Sequence, residues 1–233
     1  MLGKTVGTGQ VGAAARRDRM LLALTFAAGC VDALSYLGLS RVFTANMTGN
    51  AVLLGLAIGQ TQGLQVAHST AAIAGFVGGV LLSAGFVGPV RERVVWSSRI
   101  TLAVAVESAV LLLFAIGWWR AGPGPEGLGL LGLIMLSGLA MGIQSAVARR
   151  LAVPGVATTY VTGTITALVA ELTFASGVAG DRRRMTAVIG SLLAGAVVGG
   201  LAQAHARPAA ALVPALAVTA VAVVAAVRQE PEP

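Results

Sequence analysis

A single cysteine, Cys30, stands in a chain of 233 residues, so no internal disulfide can brace the fold, and the redox compartment stays open. Charge is almost as scarce. Only 11% of residues are Asp, Glu, Lys or Arg, against about 25% in a soluble domain. With two histidines and one cysteine there is no cluster at metal-ligand spacing. No G-x-x-x-x-G-K-[ST] loop is available to cradle phosphate. A Ser–His pair such as Ser191 and His205 could be imagined for an intramembrane protease, but no motif sets a nucleophile beside a base. The chain is therefore not expected to be an enzyme, and it implies no cofactor and no metal.

What fills the space is apolar. Hydrophobic residues make up 56% of the chain, and mean hydropathy is +0.85. Runs of about 17–25 such residues, the length that spans a bilayer as a helix, recur at Met20–Leu39, Val66–Val90, Ile100–Trp119, Leu128–Val147, Met185–Ala206 and Ala209–Val227. The net charge of +7 does not point to nucleic acid. Binders of that kind gather Lys and Arg on one solvated face, whereas here they sit in short loops between apolar runs, as topology signals do. Arg16-Arg17 ahead of a run ending Ala27-Ala28-Gly29-Cys30 imitates a secretion signal. The run continues through Asp32 to Leu39 and further spans follow, so it reads as a first transmembrane helix.

Two further apolar stretches, Val42–Gly59 and Val156–Ser176, carry polar interruptions in corresponding places. Thr44-Ala-Asn46-Met-Thr48-Gly49-Asn50 and Thr158-Thr-Tyr160-Val-Thr162-Gly163-Thr164 both read T-x-x-x-T-G plus a polar residue, 114 positions apart. Matched interruptions in two halves of a membrane protein are the best sequence pointer to a central binding site. Charge counting then separates two topologies. If all eight apolar stretches cross and the N-terminus is cytoplasmic, 9 basic residues fall inside and 7 outside. If the motif-bearing stretches enter and leave on one side, 13 fall inside, and only Arg41, Arg120 and Arg207 remain outside. Cytoplasmic loops retain excess Lys and Arg, so the second arrangement fits.

The expected fold is an all-α integral membrane protein of about six transmembrane helices plus two re-entrant or discontinuous ones, in an internal inverted repeat. Residues 1–19 form a basic cytoplasmic tail, 20–227 a single membrane domain with repeats at about 20–120 and 128–227, and 228–233 a C-terminal tail. The first 15 or so residues are expected to be disordered. Gly122-Pro-Gly-Pro125 marks the junction. Gly75-x-x-x-Gly79 and Ser191-x-x-x-Gly195-x-x-x-Gly199 are small-residue spacings that let helices approach closely in lipid. Trp96, Trp118 and Trp119 sit at span ends, as interfacial anchors do.

Charges inside spans each need a reason. Asp32 must face the bundle interior, where it suits a cation or proton site. Asn46, Thr48, Gly49 and Asn50 reach similar depth, and Thr158, Thr162, Gly163 and Thr164 would supply the other half of a substrate site. Gln144 precedes the second motif much as Asp32 precedes the first, which would make the site asymmetric; an interhelical hydrogen bond is the plainer reading. Glu107 and Glu171 are candidates for proton or ion coupling with Asp32, or else structural ties. His68 and His205 read as interfacial.

Around Gly29-Cys-Val-Asp32-Ala-Leu-Ser35-Tyr36-Leu-Gly38 and on through Arg41-Val-Phe43-Thr-Ala-Asn46-Met-Thr48-Gly49-Asn50, the chain resembles the YoaK-like family. Gly142-Ile-Gln144-Ser-Ala and the second motif match the same pattern. The resemblance implies a small multi-pass protein of the bacterial inner membrane, with both termini cytoplasmic on the charge count above. It supplies no substrate or reaction. The residues themselves suggest a secondary transporter or channel-like carrier of a small solute, with a proton or cation as possible companion and the bilayer as solvent. A non-transporting scaffold or accessory subunit is the alternative. Oligomeric state is not legible.

Overall fold

The computed structural model describes residues 8–87, 96–151, 153, 161–174 and 179–227. Helices α1 (Thr8–Gly38), α3 (Gly63–Val87), α4 (Ser98–Ala121), α5 (Gly127–Leu151) and α7 (Ala179–His205) are long. The short α8 (Arg207–Ala210) and α9 (Leu212–Val227) together make a sixth apolar span. The motif-bearing helices α2 (Met47–Gly59) and α6 (Thr162–Phe174) have 13 residues each, about 20 Å at 1.5 Å per residue, too short to cross. No strand occurs among the described residues. This is an all-α, multi-pass membrane protein. One expectation shifts at the start: α1 begins at Thr8, so the segment read as a disordered tail is helical from there to the first span.

Two helix pairs dominate the packing, α1 with α7 and α3 with α5. Both seams are built where side chains are missing. A Cβ at Gly195 would strike the Phe26 carbonyl, and one at Gly199 would lie 2.8 Å from the Cys30 oxygen. Ser191 Oγ donates to the Leu22 carbonyl at 2.7 Å, and the Cys30 thiol donates to the Gly195 carbonyl at 3.0 Å. In the second seam Gly75 faces Met135, Gly79 faces Leu139, and Gly142 meets the Phe76 carbonyl as Gly29 meets that of Leu192. With no hydrophobic force between helices in lipid, such backbone contact supplies the association. The expected small-residue packing is therefore what joins these helices.

The two seams share a register. Leu22, Phe26 and Gly29 of α1 answer to Met135, Leu139 and Gly142 of α5, each 113 positions on. Gly75, Phe76 and Gly79 of α3 answer to Ser191, Leu192 and Gly195 of α7, each 116 on. Numbers rise together along both members of each seam, so α1 runs parallel to α7 and α3 parallel to α5.

Helices α4 and α9 pack the opposite way. Ser108 shares a 2.7 Å hydroxyl bond with Thr219, and the Trp118 indole N–H donates to the Arg207 carbonyl at 2.8 Å. Rising numbers on one meet falling numbers on the other, which makes the pair antiparallel. Take each of the six long spans across the bilayer once. Parallel α1 and α7 then require that α2 and α6 both add a crossing or that neither does. Antiparallel α4 and α9 exclude a crossing by α6. Neither short helix crosses.

Trp118 departs from its expected role as an interfacial anchor. It is buried, with the Phe114 ring 5.7 Å from its own and the Arg207 guanidinium 4.9 Å from its centroid. Trp119 is exposed, and Trp96 donates to Thr101 Oγ1 at 3.0 Å. The junction turns at Gly122, Gly124 and Gly127, all at positive φ, which L side chains adopt reluctantly.

Candidate functional site

Past α1 the chain reverses sharply. Ser40 and Arg41 both take left-handed φ, 61° and 60°, a conformation costing roughly 1–2 kcal/mol per residue. Neighbouring bonds hold it: Leu39 N–H donates to the Ser35 carbonyl at 2.9 Å, and Gln65 of α3 donates its side-chain amide to the Ser40 carbonyl at 3.0 Å. The chain then dives back beside α1, where Asp32 waits. One carboxylate oxygen, Oδ1, accepts the backbone N–H groups of Thr44 at 2.8 Å and Ala45 at 2.7 Å. Ser35 and Thr44 share a buried hydroxyl bond of 3.0 Å. Polar groups of the broken backbone are thus satisfied by α1 itself, as membrane depth demands.

Asn46 caps α2 by accepting from Gly49 N–H at 3.4 Å. Asn50 is wholly buried and grips Phe43 from both sides: Oδ1 accepts the Phe43 N–H at 3.0 Å, and Nδ2 donates to the Phe43 carbonyl. This fixes the Phe43 ring in a stack on Tyr36, with centroids 5.1 Å apart at 23°. The T-x-x-x-T-G-N segment is therefore a rigid, internally bonded break.

Beside it lies a cavity of about 610 Å³, within the usual range for small-molecule sites. Asp32, Tyr36, Phe43 and Asn46 contribute from the first half, Val161, Thr162 and Ile165 from the second motif's helix, and Leu192, Ala196 and Gly200 from α7. Among the described residues, Asp32 is the only charged one in its lining.

The residues read from the sequence divide into groups. Asp32, Asn46 and Thr162 come together at the cavity. Asn50, buried on Phe43, and Gly49, whose open α-carbon admits the Phe43 ring, are structural supports behind it. Thr48 and Gly163 are exposed. Thr164 is buried, its hydroxyl without a hydrogen-bond partner among the described residues. Thr158 lies outside the described residues, as do Thr159 and Tyr160. Gln144 is fully buried in α5, and neither amide atom has a partner among the described residues. The seam register places Ser145, not Gln144, at the position answering to Asp32.

Glu107 is buried in α4 with neither oxygen partnered among the described residues, next to Ser108, and Glu171 is half-buried in α6. Neither lines the cavity with Asp32. His68, Ser69 and Ser83 of α3, away from it, leave atoms unpartnered among the described residues. Sequence reasoning passed over Ala196 and Gly200, whose signal was their place one position beyond the small-residue spacing Gly195 and Gly199.

The sequence family described as a protein of unknown function (DUF1275) matches residues 20–225. The UPF0700 transmembrane protein YoaK of Bacillus subtilis (strain 168) is 42% identical over 161 residues, covering 69% of each chain. No solved structure matches.

Proposed function

Since the chain belongs to the DUF1275 family, membrane proteins whose activity is open, we propose that it is a carrier of a small solute, built as an inverted repeat around the cavity beside Asp32. One observation carries this reading. A single cavity is lined by Asn46 from the first interruption and by Val161 and Thr162 from the second, with Asp32 at its wall. Two short helices that do not cross, meeting at one largely apolar cavity with a few polar groups in its wall, are like the discontinuous helices on which secondary transporters build a site at mid-depth. The offsets of 113 and 116 support the repeat, and the odd number of crossings in each half would invert it. The charge bias supports a cytoplasmic side for both termini, and we read the inner membrane as the compartment.

The test needs no known solute. Ala196→Cys in a Cys30→Ala background puts one thiol in the cavity wall. A carrier that alternates its access exposes this thiol to impermeant maleimide from either face of oriented vesicles. Labelling from one face only, or none, would return the chain to the scaffold reading.

A further inference from the structure

The composition of the cavity wall carries a choice of solute. We infer that the site takes a small monovalent organic cation, an ammonium or quaternary ammonium group on a short apolar body; this rests on the carrier reading above. Asp32 spends Oδ1 on two backbone N–H groups, at 2.8 and 2.7 Å. The residue itself borders the cavity. Among the described residues no Lys, Arg or His stands in the wall to neutralise it.

The α6 N-terminus at Thr162 opposes that charge with about half a positive charge, and the α2 N-terminus is already met by Asn46. A whole negative charge outweighs the remainder. The Tyr36–Phe43 stack adds electron-rich ring faces to the same wall, and such faces attract ammonium groups when water is excluded.

A divalent ion fits poorly. Calcium wants 6–8 oxygen ligands, whereas the described residues of this wall offer one carboxylate together with Asn46, Thr162 and Tyr36. Leu37, Ile165 and Leu192 line the rest and suit a hydrocarbon body. In the second half Ser145, which is neutral, stands at the position of Asp32, so the register calls for one charge on the solute and no more.

The experiment is a thermal-unfolding series on the purified full-length chain, read over a sodium chloride baseline of equal ionic strength. Its probes are propylammonium, tetramethylammonium, 1-propanol and propionate. Both cations should raise the melting temperature in a saturable way, while propanol and propionate leave it unchanged. Asp32→Asn keeps an acceptor for the Thr44 and Ala45 N–H groups, so it should fold, yet weaken cation binding on the order of tenfold or more. Tyr36→Leu leaves the charge untouched and should weaken tetramethylammonium binding about two- to fivefold. Stabilisation by propionate or propanol, equal cation binding in Asp32→Asn, or no shift with any probe would overturn the inference. Two-sided labelling at Ala196→Cys in the same preparation would then leave the carrier reading standing; one-sided labelling would remove both.

Discussion

Asn50 holds the N–H and the carbonyl of Phe43 with its own amide while fully buried, whereas Thr48, two residues earlier, is exposed. From the sequence alone both are polar members of one motif, and nothing in the letters separates a solute ligand from a backbone clamp. Asn50→Ala strips two part-buried backbone groups of partners, at about 1–3 kcal/mol for each that water does not reach. It should lower the melting temperature of the purified protein clearly. Thr48→Ala should stay within about 0.5 kcal/mol of the parent, and an equal loss in both would contradict the clamp. Asp32 was legible as a residue that must face inward, because a carboxylate in lipid has few alternatives. That it braces Thr44 and Ala45 was not, since a reversal at two left-handed residues leaves no periodic trace. The pairing of Gln144 with Asp32 slipped by one residue for a related reason: loop spacing, 14 residues against 12, measures chain length rather than register.

At the scale of the element, the spans were readable because apolar length is a strong signal, and the small-residue spacings located both seams. Their partners were not readable, because a glycine reports close approach without naming what approaches. Gly195→Ala and Gly79→Ala each drive a methyl group into a backbone carbonyl of the facing helix. Each should cost about 1–3 kcal/mol. Gly190→Ala, with open space around it, should be neutral or slightly stabilising by helix propensity; comparing the melts of the three variants checks the seams directly. The short helices make a second prediction. With neither α2 nor α6 crossing, single cysteines at Thr61, Gly124 and Ala206 must all label from one face. Eight crossings would set Ala206 opposite the other two, so a split pattern decides against the parity argument.

For the whole molecule, charge bias and packing bear on the same question by independent routes. Six single crossings return the chain to its starting face, so reporters fused at the two termini should give the same cytoplasmic signal; unlike signals would break the count. At that end of the bundle Arg184 pairs with Asp181 at 2.6 Å and reaches Asp18 at 3.8 Å, with Arg17 on Asp18 at 3.1 Å. Of these part-exposed pairs, Arg184 with Asp18 ties α7 to α1 beyond the glycine seam, at no more than about 1 kcal/mol in salt. Composition could announce a membrane protein, and its basic loops an orientation. The cavity could not be foreseen, because it depends on α6 and α7 facing α1, a relation spread across 160 residues of sequence.

The hydroxyls of Ser108 and Thr219 meet near the midpoints of α4 and α9, two helices that run in opposite directions. Levers pinned at the centre swing their ends apart without lengthening the pin. If the two halves of this bundle tilt against one another, that hydroxyl pair is the fulcrum, and the largest excursions fall at the two membrane surfaces.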